Sequence, residues 1–60
     1  MKVREAIKRL KERGWCLART SGSHRQFKHP VTRQLVTITG KLSRDIPIGT
    51  LSRIKRKALY

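Results

Sequence analysis

The 60-residue chain has few acidic residues: three Asp and Glu accompany sixteen Lys and Arg, which gives a formal net charge of +13. Such an excess argues against another cationic surface as a partner and favours a polyanion, such as a nucleic acid, or an acidic protein. The basic residues are spread along the sequence rather than gathered in one tail. We therefore expect the positive charge to be distributed over the surface of a folded domain.

The sequence also has a single cysteine, Cys16, and no long apolar run. One cysteine excludes an internal disulfide, so a secreted disulfide scaffold is disfavoured and a cytoplasmic location is expected. The longest apolar run, residues 15–18, is far shorter than the roughly 20 residues that span a membrane, so no membrane is expected as a partner. A chain of this length is predicted to form one small domain, residues 1–60.

Two segments have the apolar spacing of amphipathic helices, i, i+3, i+4 and i+7. In residues 2–13 the apolar stripe consists of Val3, Ala6, Ile7 and Leu10. In residues 47–59 it consists of Ile48, Leu51, Ile54 and Ala58. Gly14 is expected to end the first helix, and Asp45 is a candidate cap for the second.

Three short segments between the helices, residues 15–19, 24–29 and 34–39, are predicted to be strands. Turn-forming residues separate them, so the strands are expected to pair antiparallel in sequence order. The predicted fold is α+β with the order α-β-β-β-α, in which both helices cover one face of a three-stranded sheet. The other face is then free to carry a functional site.

The most chemically informative segment runs from Gly22 to Pro30. Strand alternation places His24, Gln26 and Lys28 on one face and Arg25, Phe27 and His29 on the other. If Phe27 packs in the core, His24 lies on the open face, where an imidazole can move protons near neutral pH. On RNA it would take the proton of a ribose 2′-hydroxyl, with Lys28 or Arg25 stabilising charge on the phosphate. The residues alone leave RNA cleavage and RNA binding equally open.

Other reactive residue types in the sequence favour structural roles. Cys16 has no evident base beside it and is predicted to be a half-buried strand residue. His29 ends a strand before Pro30 and is interpreted as structural rather than as a second acid or base. Cys16, His24 and His29 together lack the number and spacing of ligands in a four-ligand zinc site, so neither a metal nor another cofactor is expected.

Several of these features together resemble the HicA family of toxin ribonucleases. The resemblance begins with Gly14-Trp15 and Arg19 and is most specific in Gly22-Ser23-His24, followed by the strand that ends in His29-Pro30. The segment from Ile48 to Ile54 is similar to the last helix of that family. Arg25 and Gln26 depart from it, because the family often has more apolar residues there.

The resemblance implies a double-stranded-RNA-binding-domain-like fold, cleavage of messenger RNA, and a HicB-type antitoxin as partner. It implies that His24 is the catalytic residue and that Gly22 shapes its turn. The residues expected to contact RNA are Arg19, Ser23, Arg25, Lys28 and Lys41. The alternative is a non-catalytic binder of structured RNA with the same fold. A helix-turn-helix DNA-binding module is disfavoured because three strands separate the helices.

Overall fold

The computed structural model describes residues 1–59 and has the predicted order of helices and strands. The first helix and the three strands are α1 (Val3–Glu12), β1 (Cys16–Ser21), β2 (His24–Lys28) and β3 (Leu35–Ile38). The chain ends with α2 (Ile48–Ile54), which continues as a π-helical turn over Lys55–Leu59. The α+β class and the α-β-β-β-α order predicted from the sequence are confirmed.

Helix α1 buries the apolar stripe that its sequence predicts. Val3, Ala6 and Leu10 are all at most 1% exposed. The first backbone N–H groups of the helix find acceptors in the segment that precedes α2: Val3 donates to the carbonyl of Arg44 and Arg4 to that of Leu42. This pairing fixes the start of α1 against the approach to α2.

The sheet is antiparallel in the order β1-β2-β3, with β2 in the centre. Phe27 of β2 lies opposite Val36 of β3, and both are buried with Ile38 on the face that the helices cover. An irregularity between Leu17 and Arg19 shifts the register of β1. Among the described residues, no helix packs on the remaining face of the sheet.

One apolar cluster joins the two helices to the covered sheet face. Ile54 and Ala58 pack in the same cluster as Leu10 and Phe27. Trp15, which follows α1, is 4% exposed in this cluster and donates its backbone N–H to the carbonyl of Leu10. Both helices therefore lie on one side of the sheet, as predicted.

Four local predictions were wrong. Ile48, predicted on the apolar stripe of the second helix, is the first residue of α2 and is 84% exposed. Cys16 is exposed rather than half-buried, because β1 is an edge strand with every residue exposed. Asp45 does not cap α2: its Oδ1 lies 3.6 Å from Lys2 Nζ, and the two residues also form an isolated backbone bridge. The last five residues of the predicted second helix, Lys55–Leu59, are π-helical.

Among the described residues, no helix has the length and apolar composition needed to cross a membrane.

Candidate functional site

His24 is the first residue of β2 and directly follows the tight turn that joins β1 to β2. It pairs with Ser21, so only Gly22 and Ser23 lie between the two strands. Gly22 has a φ of +58°, in the left-handed region that costs other residues about 1–2 kcal/mol. The glycine allows a turn short enough to hold His24 at the edge of the open sheet face.

A shallow depression of about 230 Å³ surrounds His24 on that face. Its lining residues are Arg19, Ser21, His24, Gln26 and Thr37. Gln26 is the cross-strand partner of both Arg19 and Thr37, so these three residues form a row across all three strands. Arg19 supplies a positive charge, and none of the lining residues is acidic. The depression is suited to an anionic ligand that also offers hydrogen-bonding groups.

The two histidines differ in how far their rings are already used. Within the described residues, the His24 ring makes no hydrogen bond, and the residue is exposed. The His29 ring is fully engaged: Nδ1 accepts from the backbone N–H of Val31 at 3.2 Å, and Nε2 lies 3.2 Å from the Arg13 carbonyl oxygen. Because Nδ1 accepts, the proton of a neutral ring is on Nε2, which then donates to Arg13. Of the two rings, that of His24 has both nitrogens unbonded within the part of the chain that the structure describes.

The packing around His29 agrees with the structural role inferred from the sequence. Its ring stands edge-on to Trp15, with ring centroids 5.3 Å apart. Thr32 adds a longer backbone contact of 3.4 Å to Nδ1. The side chain therefore ties the end of α1 and the β2–β3 loop to the core.

Two of the residues predicted to contact RNA lie on or beside the open face with His24. Arg19 lines the depression itself. Lys28 is at the other end of β2, four residues from His24, or about 13 Å along a strand. Lys28 therefore shares the face but not the depression, so Arg19 is the cation that the structure brings to His24.

Arg25 is directed to the covered face, away from His24. It pairs with the buried Ile38, and its Nη1 donates to the carbonyl oxygen of Gly40 at 2.9 Å. Lys41 follows Gly40 in an exposed segment beyond the end of β3, at the same end of the sheet as His24. Ser23 is exposed in the turn before His24.

One comparison with known proteins assigns the chain to a family. A model of the family described as the HicA toxin of bacterial toxin–antitoxin systems matches residues 3–59. The chain belongs to the HicA toxin family. A comparison with curated proteins gives no match. The family match extends over every helix and strand and includes the turn that carries His24.

Gln26 and Thr37 are residues of this HicA chain that sequence reasoning did not assign to the site. Strand alternation already places Gln26 on the His24 face, so that signal was present. Thr37 could not have been found in the same way, because its position depends on the register between β2 and β3. Arg25 differs from both, because the sequence placed it among the RNA contacts and also on the Phe27 face; its bond to Gly40 depends on where the chain turns after β3.

In the described part of the HicA chain, no group of three or more His, Cys, Asp or Glu residues is arranged to hold a metal ion. Cys16 pairs with Lys28, whereas His24 pairs with Ser21, so these two candidate ligands lie at opposite ends of the β1–β2 pair.

Proposed function

We propose that this HicA family member is an endoribonuclease that cleaves messenger RNA, with His24 as its general acid and base and without a metal ion. The observation that carries the proposal is the exposed His24 ring, unbonded within the described residues and set beside Arg19 in one depression. A histidine that only stabilised the fold would be bonded and packed, as His29 is.

The arrangement supports a reaction that uses the ribose itself as the nucleophile. The unprotonated His24 ring takes the proton of a 2′-hydroxyl, and the 2′-oxygen attacks the adjacent phosphorus. The bond from phosphorus to the 5′-oxygen breaks, and that oxygen takes up the proton that the His24 ring accepted. The products are a 2′,3′-cyclic phosphate, or its hydrolysed form, and a 5′-hydroxyl end.

Arg19 is the residue best placed to stabilise the charge that develops on the phosphoryl oxygens, because it lines the same depression as His24. The Gln26 amide, between Arg19 and Thr37, offers a donor and an acceptor to the ribose or base. Ser23, Lys28 and Lys41 are proposed to contact phosphates further along the strand. Arg25 would contact RNA only from the far face, where it already binds Gly40.

A second part of the proposal concerns the protein partner. As a member of a toxin–antitoxin family, the chain is expected to be neutralised by an antitoxin, which we propose is of the HicB type and acidic. A formal charge of +13 favours such a partner. We propose that this antitoxin covers the open sheet face around His24, so that RNA cannot reach the depression. We also propose that both proteins are cytoplasmic.

The replacement His24→Ala tests the catalytic assignment. We expect it to lower the rate of RNA cleavage by about 10²–10⁴-fold in the presence of EDTA, the typical contribution of a general acid–base group. Circular dichroism should show the same fold, since His24 is exposed. The control Arg56→Gln changes an exposed residue of the last helical turn and should cleave RNA like the unmodified chain.

The outcomes separate the proposal from its alternative. Equal cleavage by His24→Ala and the unmodified chain would reject His24, and 5′-phosphate ends or inhibition by EDTA would reject the metal-independent mechanism. Tight binding of structured RNA by the unmodified chain, with no cleavage at all, would favour the non-catalytic binder.

A further inference from the structure

A second depression lies between the free edge of β3 and the last helix. It measures about 300 Å³. Its sheet wall consists of Leu35, Val36 and Thr37. Its helix wall consists of Thr50, Arg53, Ile54 and Lys57. These four helical residues follow the spacing of one helix face, so the groove between β3 and α2 is a regular feature of the packing.

The groove adjoins the depression around His24, because Thr37 lines both. Gln26 pairs with Thr37 across the sheet, and His24 is two residues before Gln26 on the same face. A ligand bound at His24 can therefore extend across Thr37 into the groove. It would cross one strand spacing, about 5 Å, from β2 to β3.

The charge of the groove indicates an anionic occupant. Arg53 and Lys57 are exposed and one helical turn apart on the same wall, and no acidic residue lines the groove. The three acids of the chain are elsewhere: Glu5 and Glu12 on α1, and Asp45 beside Lys2. The hydroxyls of Thr37 and Thr50 can donate hydrogen bonds to the same anion.

We propose that the groove between β3 and α2 is a second phosphate-binding site, in which Arg53 and Lys57 hold the RNA strand that is cleaved at His24. This inference rests on the proposed ribonuclease function. The bound RNA strand would then extend from the β1–β2 turn, across Thr37, to the last helix. Leu35, 46% exposed beside the groove, offers an apolar surface to the face of a base.

An acidic protein segment is a different occupant that the same charges would attract. The observations favour RNA because the groove adjoins the His24 depression at Thr37, and a strand held at both places is fixed on two sides of the reacting phosphate. Such positioning lowers the entropy cost of reaching the reactive geometry.

The test compares the double replacement Arg53→Gln/Lys57→Gln with a matched control. The control, Arg4→Gln/Lys8→Gln, removes two exposed charges with the same four-residue spacing from α1, on a depression that shares no residue with the groove. The charge-retaining variant Arg53→Lys/Lys57→Arg tests whether two positive charges at these positions are sufficient for RNA binding. Circular dichroism melts should show that all three variants are folded.

The first measurement is binding of a single-stranded 2′-O-methyl RNA oligonucleotide, which has no 2′-hydroxyl to attack. We expect the groove variant to bind about tenfold more weakly than the control variant, since a hydrogen bond to a charged group is commonly worth a factor of this size. The slope of log affinity against log salt should fall by about 1.4 relative to the unmodified chain, for two lost contacts to single-stranded RNA. The charge-retaining pair should keep most of the affinity.

The second measurement is cleavage of a long RNA, in which the groove variant should show a higher KM with kcat nearly unchanged. Equal binding and equal KM in the groove and control variants would overturn the proposal, as would loss of antitoxin binding with RNA binding intact. The catalytic assignment is judged separately: if His24→Ala cleaves normally while the groove variant binds weakly, His24 fails and the groove stands.

Discussion

Two histidines, one at the start of β2 and one directly after its end, show that the surroundings of a residue determine its role. His24 and His29 are five residues apart, roughly 16 Å along an extended chain. His24 is exposed at the β1–β2 turn, whereas His29 accepts the Val31 N–H and bonds to the Arg13 carbonyl. The first ring is available to a substrate, and the second already contributes to the fold.

These different surroundings predict that alanine at position 29 affects stability, whereas alanine at position 24 affects RNA cleavage. His29→Ala leaves the Val31 N–H and the Arg13 carbonyl without their partner, so we expect the free energy of unfolding to fall by about 1–3 kcal/mol. His24→Ala should change it by less than about 0.5 kcal/mol, because the exposed ring has no hydrogen bond within the described residues. Urea denaturation followed by circular dichroism measures both.

RNA cleavage provides the complementary measurement for the same pair. At a temperature where both variants are folded, His29→Ala should retain its cleavage rate per folded molecule, whereas His24→Ala should not. Loss of cleavage by a stably folded His29→Ala would show that His29 also takes part in the reaction.

At the scale of elements, the turn between β1 and β2 sets the position of the site. Gly22 has a φ of +58° and open space where a Cβ would be, so an alanine there would be strained by its backbone and not by a clash. We expect Gly22→Ala to lower the free energy of unfolding by about 1–2 kcal/mol. Cleavage should also weaken if the turn relaxes and moves His24, which the KM and kcat of the folded variant would reveal.

Gly49 is a matched control within the same chain. It lies in α2, also has no atom within 4 Å of a built Cβ, and does not have a positive φ. Gly49→Ala should therefore be neutral or stabilise the fold by up to about 1 kcal/mol, because alanine favours helix. Equal destabilisation at both glycines would contradict the explanation by backbone conformation.

Some features of the helices and strands can be predicted from local sequence patterns, whereas others depend on tertiary packing. The stripe of α1 and the alternation around Phe27 are local patterns, so both helices, all three strands and the exposure of His24 follow from them. The meeting of Thr37 with His24 depends on the pairing of β2 with β3, which no local pattern specifies. The bond from Arg25 to Gly40 and the π-helical end of α2 likewise depend on tertiary packing.

At the scale of the whole molecule, charge is the dominant feature. The described residues contain one ion pair, Lys2 with Asp45 at 3.6 Å, in which the Lys2 side chain is 42% exposed and the Asp45 side chain 74%. Such a pair is worth at most about 1 kcal/mol and does little against a formal charge of +13. The folded chain alone is therefore under net self-repulsion, which a polyanion or an acidic antitoxin would relieve.

This imbalance predicts that salt stabilises the isolated chain. Raising the NaCl concentration from about 0.01 to 0.1 M shortens the screening length from about 30 to 10 Å, so repulsion weakens more than the single exposed ion pair does. We expect the melting temperature, measured by circular dichroism, to rise over this range.

The variant Arg4→Gln/Lys8→Gln, with two fewer exposed charges, should melt higher at low salt and gain less from added NaCl. A melting temperature that falls with salt in the unmodified chain would mean that attractive pairs outweigh repulsion, and the charge would then have to be balanced within the fold rather than by a partner.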